Sequence, residues 1–458
     1  MAQAKQDMGT GSIKKLMLQL MIPAVVAQVV NLLYNIVDRI YIGHIAGIGA
    51  AALTGVGLFT PILMLLNAFA MLVGAGGAPR TAIALGQGDR QRAEKIISNS
   101  FTVLMFFAVV LTIGFYAGAP VLLRLFGASD VTLPYALSYS RIYIAGSVFV
   151  LVVLGMNPFI TTQGFAKTSM LTTVIGAVIN IILDPILIFG FGLGVRGAAI
   201  ATVASQVVSA VLTVRCIHGS QGMPWHLQLK NIRIERSVLL AICRIGLPGA
   251  AQSALYSISN MTIQSAINGF GTVAVAAWSV YGKIDFLFWM TVSSFGIAVT
   301  TFAGQNFGAR QYDRVRRGTM TCLAMTAGTT LCISLALYPS AQLLFRLFSS
   351  DDAVVAQGVQ MMHYLVPVYM TYICIEIFSG ALRGCGDVRV PTIITVFAVC
   401  IMRIVWLAVA LPFKHEISVV EFSYPLTWIT ATVLFAIYYA KGGWMQRCIA
   451  VQNAKTQG

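Results

Sequence analysis

The sequence predicts an all-α membrane protein with twelve transmembrane helices in two pseudo-symmetric six-helix bundles, and three observations lead there. The 458-residue chain is 58% hydrophobic and only 10% charged, against roughly 25% charged residues in a soluble domain. Apolar stretches of about 20 residues or more, each enough to cross a ~30 Å hydrocarbon core as a helix, recur along the whole length with short polar breaks. The two halves of the chain also repeat one another. A backbone in lipid has no water for its amides, so each stretch has to close its own hydrogen bonds as a helix.

The expected spans are 14–38, 50–76, 95–120, 133–160, 166–191, 197–217, 237–268, 272–302, 317–341, 358–382, 390–412 and 418–440. The first follows a polar stretch, Met1 to Lys15, outruns a signal-peptide apolar core and carries no small-residue cleavage site, so it is expected to be retained.

A net charge of +15 raises the question of nucleic acid, but the basic residues alternate with the spans, which membrane topology explains and nucleic-acid binding does not. Of the 30 Lys and Arg residues, 22 fall on one side, including Arg80 to Lys95, Arg215 to Arg244 and Arg310 to Arg317. Six fall on the other side, and Lys283 and Arg403 lie within spans. The expectation is a multi-pass protein of the plasma (inner) membrane with both termini cytoplasmic, acting as a monomer without nucleic acid.

The repeat sets the architecture. Pro23 matches Pro248 and Ala51-Ala52-Leu53 matches Ala276-Ala277-Trp278 at an offset of 225. Gly88-Asp89-Arg90-Gln91 matches Gly308-Ala309-Arg310-Gln311 at 220, Leu125-Phe126 matches Leu347-Phe348 at 222, and Gln163-Gly164 sits over Arg383-Gly384 at 220. The expected organisation is an N-terminal lobe over 1–217, a basic cytoplasmic link over 218–236 and a C-terminal lobe over 237–458. Six is even, so both lobes share one orientation about an axis along the membrane normal. A solute path between the lobes, opened to either side by rocking, follows from that arrangement.

Enzymatic and ATP-driven chemistry finds no support in the motifs. The eight cysteines are scattered without disulfide or zinc spacing, the five histidines form no ligand pattern, and no phosphate-cradling glycine loop is present. No cofactor is expected, and the functional content falls to polar residues inside the spans, where ionisable groups are costly.

In the first span Gln28, Asn31, Asn35 and Asp38 form one stripe at helical spacing, either a functional face, a polar packing seam, or, for Asp38 beside Arg39, an interfacial pair. In the fifth, Asn180 and Asp184 share a face, and Pro185 frees the carbonyl of Ile181. Carboxylates and freed carbonyls suit a hard cation; the other reading is a kink with Asp184 as a cap. At the offset of 225 Asp38 falls on Ile263, and at 220 Asn180 and Asp184 fall on Cys400 and Ile404. The acidic pair belongs to the first half alone, which favours a dedicated cation site.

The second half offers a different set: Gln252, Tyr256 and Asn260; Lys283 and Asp285 with Trp278 and Trp289; Glu376; and Arg403. Lys283 with Asp285 and Glu376 with Arg403 are candidate internal ion pairs, and the whole set is a candidate substrate lining. Aromatic and methionine side chains offer adaptable contacts to bulky cations, although such residues more often fill a core.

These residues resemble the multidrug and toxic compound extrusion (MATE) transporters, on the bacterial DinF-like side, over nearly the whole chain. The resemblance rests on Asn31-Leu-Leu-Tyr-Asn-Ile-Val-Asp38, Gly86-Gln-Gly-Asp89, Ile179-Asn180-Ile-Ile-Leu-Asp184-Pro185, Gly197-Ala198-Ala-Ile-Ala-Thr202, Gly304-Gln-Asn-Phe-Gly-Ala309 and Leu382-Arg-Gly384. It implies a V-shaped pair of bundles and export of small organic cations against Na+ or H+. It places Asp38, Asn180, Asp184 and Thr202 at the family's N-lobe cation site, with the Ala198 carbonyl as a further ligand for Na+. Where the NorM-like branch has a glutamate on helix 7 this chain has Gln252, and Glu376 lies about a turn from that branch's aspartate, so a C-lobe cation site of that type is not implied. The rival reading, a flippase for lipid-linked oligosaccharide, calls for a strongly basic cavity, whereas this interior sets Lys283 and Arg403 against Asp38, Asp184, Asp285 and Glu376.

Overall fold

The computed structural model describes residues 8–219, Leu227 and residues 235–454, and every regular element among them is helical. Most of the predicted link over 218–236 lies outside the described residues.

The first half runs α1 (Ile13–Gly43), α2 (Gly49–Gly57), α3 (Thr60–Gly86), α4 (Arg90–Leu125), α5 (Leu133–Ala145), α6 (Ser147–Thr162), α7 (Ala166–Pro185) and α8 (Val195–Gly219). The second runs α9 (Arg236–Asn268), α10 (Thr272–Gly308), α11 (Tyr312–Phe348), α12 (Asp352–Leu365), α13 (Tyr369–Gly384), α14 (Arg389–Thr395), α15 (Met402–Phe413), α16 (Ile417–Lys441) and a short α17 (Trp444–Ala454). Ten helical segments are long and apolar enough to cross a bilayer, and α5 with α6, bent by 55°, makes an eleventh. The remaining expected span, the seventh (237–268), is present as the 33-residue α9, but it does not reach the same apolar measure among the described residues: it carries Arg244, Gln252, Asn260 and Gln264. No expected span corresponds to α17.

The breaks inside spans follow the sequence. Pro61 sits in the first turn of α3, where its missing N–H costs nothing. A Cβ on Gly146, at the α5–α6 bend, would lie 2.4 Å from Val203 Cγ1, so only glycine allows α8 this close. Beyond Pro185 the chain continues as a π-helical turn, Ile186–Gly190, and a second π segment, Val396–Ile401, joins α14 to α15. Such turns mark places where the regular ladder is interrupted, often at functional sites. Asp89 caps α4 by accepting from the Arg92 amide at 3.0 Å, and Asp351 caps α12 through the Ala353 amide at 2.9 Å.

The structure fixes the repeat register more tightly than the sequence does. After α3 the Asp89 amide bonds the Ala84 carbonyl, and after α10 the Gln311 amide bonds Asn306 in the same way; Phe165 to Ile160 and Asp387 to Leu382 repeat the pattern. Gly88 and Arg310 take matching positive φ of 73° and 59°, and Gly164 and Gly386 both take 92°. All of these pairs stand 222 apart, so the 220 alignment at both loops is corrected by two residues. At 222, Asn180 and Asp184 fall on Met402 and Trp406, and the acidic pair still has no counterpart in the second half.

The described residues form two compact units, one within 22–250 and the other made of 8–21 with 251–454. The units are therefore not the two halves of the chain. Helix α1 joins the first unit only from Ile22, next to Pro23, and α9 leaves it after Ala250, just past Pro248. Arg314 explains the early residues' place in the second unit: its guanidinium donates to the Met8 carbonyl at 2.9 Å and also to that of Gly11. Phe59, Phe159, Leu104 and Met156 are fully buried in the first unit, and Phe288, Phe302, Phe345 and Trp428 in the second. Phe106, Ile113 and Val121 of α4 stay exposed, as side chains meeting lipid do.

Candidate functional site

In the first unit α1 and α7 bring two carboxylates together. Asp38 and Asp184 are buried and lie within hydrogen-bonding reach of each other. Asp38 thus turns inward instead of forming an interfacial ion pair with Arg39. Asn180, one turn before Asp184, donates from Nδ2 to Asp184 Oδ1 and to Thr202 Oγ1, each at 3.4 Å. Thr202 on α8 donates its hydroxyl to the Ala198 carbonyl at 2.9 Å, so that carbonyl is already engaged. The Asn180 amide orients the cluster, and the π turn after Pro185 continues the chain directly beyond Asp184.

Three buried oxygens here have no protein partner among the described residues: Asp38 Oδ1, Asn180 Oδ1 and Asp184 Oδ2. Thr202 Oγ1 stands beside them as a fourth oxygen, donating to the Ala198 carbonyl and accepting from Asn180 Nδ2. Unsatisfied buried acceptors are costly, and an oxygen-only donor set with two carboxylates suits a hard cation or a proton. Among the described residues no group of three or more His, Cys, Asp or Glu side chains is arranged to hold a metal ion.

An aromatic wall not expected from the sequence encloses this cluster. Tyr139 and Tyr143 on α5 stack at 5.9 Å, Phe59 meets them edge-on at 5.8 and 5.2 Å, and Tyr139 reaches Thr202. Tyr34 lies on α1 within range of Asp38 and Asp184. The four-residue spacing of Tyr139 and Tyr143 was the available signal, one shared with ordinary core stripes. Farther along α1, Asn35 donates back to the Asn31 carbonyl at 2.7 Å and to its side-chain oxygen at 3.0 Å, and Gln28 is half-buried. The polar stripe is thus two groups: Asp38 at the carboxylate cluster, and Asn31 with Asn35 bonded to each other.

The second unit corrects both expected ion pairs. Residues two apart on a helix face opposite ways, and Lys283 accordingly lies over the Phe348 ring at 5.3 Å while Asp285 accepts from Trp289 Nε1 at 2.7 Å and from the Tyr281 hydroxyl at 3.3 Å. Glu376 pairs with Arg383 at 3.3 Å instead of with Arg403. Arg403 is fully buried, donates to Thr427 Oγ1 at 3.4 Å and sits 4.5 Å from the Tyr424 ring. Trp289, Tyr372, Trp428 and Tyr424 continue as one aromatic run with centroid spacings of 4.5, 5.2 and 5.1 Å. Tyr256 reaches Tyr372 from α9, with Gln252 half-buried and Asn260 exposed on the same helix. Glu421, buried on α16 with Oε1 unpartnered among the described residues, was not singled out in the sequence.

Many long apolar helices in two related sets, with buried charge gathered at defined places inside them, describe a multi-span membrane transport protein. The family is then settled: a model described as MatE matches residues 23–186 and again 248–409, once in each half, and the chain belongs to that family. The two matches start 225 residues apart, at Pro23 and Pro248. Curated relatives include the probable multidrug resistance protein YoeA of Bacillus subtilis, 25% identical over 429 residues and 92% of either chain. The multidrug export protein MepA of Staphylococcus saprophyticus is 24% identical over 84% of each chain, and a FAD transporter of Shewanella oneidensis is 25% identical over 75% of this chain and 76% of that one. Among solved structures, a MATE in the bent conformation superposes with a TM-score of 0.88 at 24% identity, covering 97% of this chain and 98% of that one. An outward-facing multidrug resistance MATE family transporter superposes with a TM-score of 0.88 at 23% identity over 99% and 100%. These two likenesses establish the fold.

Proposed function

We propose that the protein exports small organic cations in exchange for inward Na+ or H+, with the coupling ion held between Asp38 and Asp184. The observation that carries this reading is the pair of buried carboxylates beside Asn180, with three oxygens unpartnered among the described residues, confined to one of two related halves. Relatives named as a probable multidrug resistance protein and a multidrug export protein support the export of drug-like solutes.

Na+ would take Asp38 Oδ1, Asp184 Oδ2, Asn180 Oδ1 and Thr202 Oγ1, whereas H+ would bind one carboxylate and be shared with the other. Either ion removes the repulsion between the two carboxylates and ties α1 to α7. When it leaves, α1 is released at its proline. Coupling requires that the ion bind the two conformations with different affinity, and a site split between α1 and α7 meets that requirement. Organic cation entering from the cytoplasm favours the ion-free form, and ion entering from outside favours release.

A second reading, export of an anionic aromatic solute, draws on the fully buried Arg403 and on the relative named as a FAD transporter. One assay separates the two: efflux from proteoliposomes of an ethidium-type dye and, separately, of FAD, under imposed Na+ and pH gradients. Dye efflux driven by either gradient, and lost in Asp38→Asn and Asp184→Asn, supports the proposal. Efflux of FAD alone supports the second reading, and normal dye export by both variants refutes the cation site.

A further inference from the structure

In the second unit aromatic side chains close a ring around one carboxylate. Trp278, Tyr281, Asp285 and Trp289 recur at helical spacing along α10, and Tyr424 and Trp428 stand one turn apart on α16. The two stripes meet. Trp278 lies 5.4 Å from Tyr281 between ring centroids, the Tyr281 hydroxyl donates to Asp285 Oδ1 at 3.3 Å, and Trp289 Nε1 donates to Oδ2 at 2.7 Å. Trp289 reaches Trp428 at 6.1 Å, Trp428 reaches Tyr424 at 5.1 Å, and Tyr424 returns to Trp278 at 6.1 Å.

Burial is uneven around this ring. Tyr281 and Trp428 are buried and backed by Tyr369, whose hydroxyl lies 3.2 Å from that of Tyr281, and by Tyr372, 5.2 Å from Trp428. Trp278, Asp285, Trp289 and Tyr424 remain half-buried, whereas a closed core would bury every member. Asp285 also lacks a basic partner. Both its oxygens accept, Oδ2 from an indole N–H that can only donate, and among the described residues no Lys, Arg or His stands within ion-pair distance of it. Lys283 lies over Phe348, Arg383 pairs with Glu376, and Arg403 donates to Thr427 and sits 4.5 Å from the Tyr424 ring. A carboxylate without a counter-ion inside a span is costly, and the aromatic faces beside it attract positive charge.

The repeat places this ring where the first half holds its carboxylate cluster. At the spacing of 222, Ile417 at the start of α16 falls on Val195 at the start of α8, and Tyr424 falls on Thr202. The helix that brings Thr202 to the cluster in one half brings Tyr424 to the ring in the other. We propose that the ring binds the aromatic organic cation that the protein exports, with the positive centre beside Asp285 and the flat ring system against Trp278 and Tyr424. This inference rests on the reading of the protein as an organic-cation exporter and adds the residues that hold the substrate, all of them distinct from those of the coupling ion.

The test is equilibrium binding to the detergent-purified full chain, read by fluorescence, of ethidium and of uncharged phenanthridine, which shares its fused rings. Wild type, Asp285→Asn and Trp278→Leu are compared, and ethidium efflux from proteoliposomes is measured for each. Asp285→Asn is expected to bind ethidium about tenfold more weakly than wild type, with phenanthridine binding unchanged. Trp278→Leu is expected to bind ethidium about fivefold more weakly. Trp278 is half-buried, so its variant keeps the test valid where Asp285→Asn does not fold. Variants that bind ethidium as wild type does, while wild type exports it, would overturn the proposal and leave the export reading standing. Equal loss of both ligands in Asp285→Asn would also overturn it, because the missing charge would not be the cause. A wild type that neither binds nor exports ethidium removes the export reading, and the site with it.

Discussion

Thr202→Val keeps the volume and branching of the side chain while deleting one oxygen from the proposed cation site. In the structure Thr202 Oγ1 donates to the Ala198 carbonyl at 2.9 Å and accepts from Asn180 Nδ2 at 3.4 Å. Neither carboxylate bonds Thr202 directly, and Asn180 keeps its second acceptor, Asp184 Oδ1 at 3.4 Å. Loss of one neutral oxygen contact costs about 1 kcal/mol, or about fivefold in Na+ affinity. A proton needs only a carboxylate, so the H+ arm is not expected to move. The assay is initial dye efflux from proteoliposomes against external Na+ at fixed pH, and against pH without Na+. The expected result is a half-saturating Na+ concentration raised about fivefold, with the H+-driven rate unchanged. A parallel fall in both arms would mean that the hydroxyl acts through packing, and an unchanged Na+ arm would remove Thr202 from the site; either result refutes the reasoning.

The second unit yields predictions that thermal unfolding in detergent can check. Gly296→Ala places a Cβ 2.3 Å from Glu376 Oε1 and displaces the carboxylate from Arg383, at a cost of about 1–3 kcal/mol. Gly282→Ala on the same helix meets nothing within 4 Å and is expected to hold or raise Tm. Trp289→Phe removes the 2.7 Å hydrogen bond to Asp285 and is expected to cost about 1.5–3 kcal/mol. Arg403→Met replaces a buried cation that has no carboxylate within ion-pair distance among the described residues, so Tm is expected to hold or rise; a clear fall would show that the Thr427 and Tyr424 contacts outweigh the burial of the charge.

Much of the architecture is legible in the sequence because lipid leaves the chain few choices: each long apolar run becomes a helix, and the twelve expected spans are all helical. The internal breaks are less legible. The span bent by 55° at Gly146 has Val203 of α8 packed against that glycine, a tertiary contact that no local pattern announces. The repeat was visible from Pro23 and Pro248, but its register was resolved only when the loop hydrogen bonds showed a constant spacing. At the site, Asp38, Asn180 and Asp184 stood out because charge inside a span is costly. Tyr34, Tyr139 and Tyr143 did not, since an aromatic stripe reads the same in a core. The two expected ion pairs failed for different reasons: Lys283 and Asp285 sit on opposite helix faces, and Arg383, seven residues beyond Glu376, takes its carboxylate first.

The most direct test of the cation site reverses the exchange: a gradient of ethidium-type dye imposed across proteoliposomes, with counterflow of radiolabelled Na+ or of H+ measured in the same vesicles. The account predicts cation flux in wild type that stops in Asp38→Asn/Asp184→Asn, although the variant still binds dye. Dye-driven cation flux that persists in the double variant would contradict it.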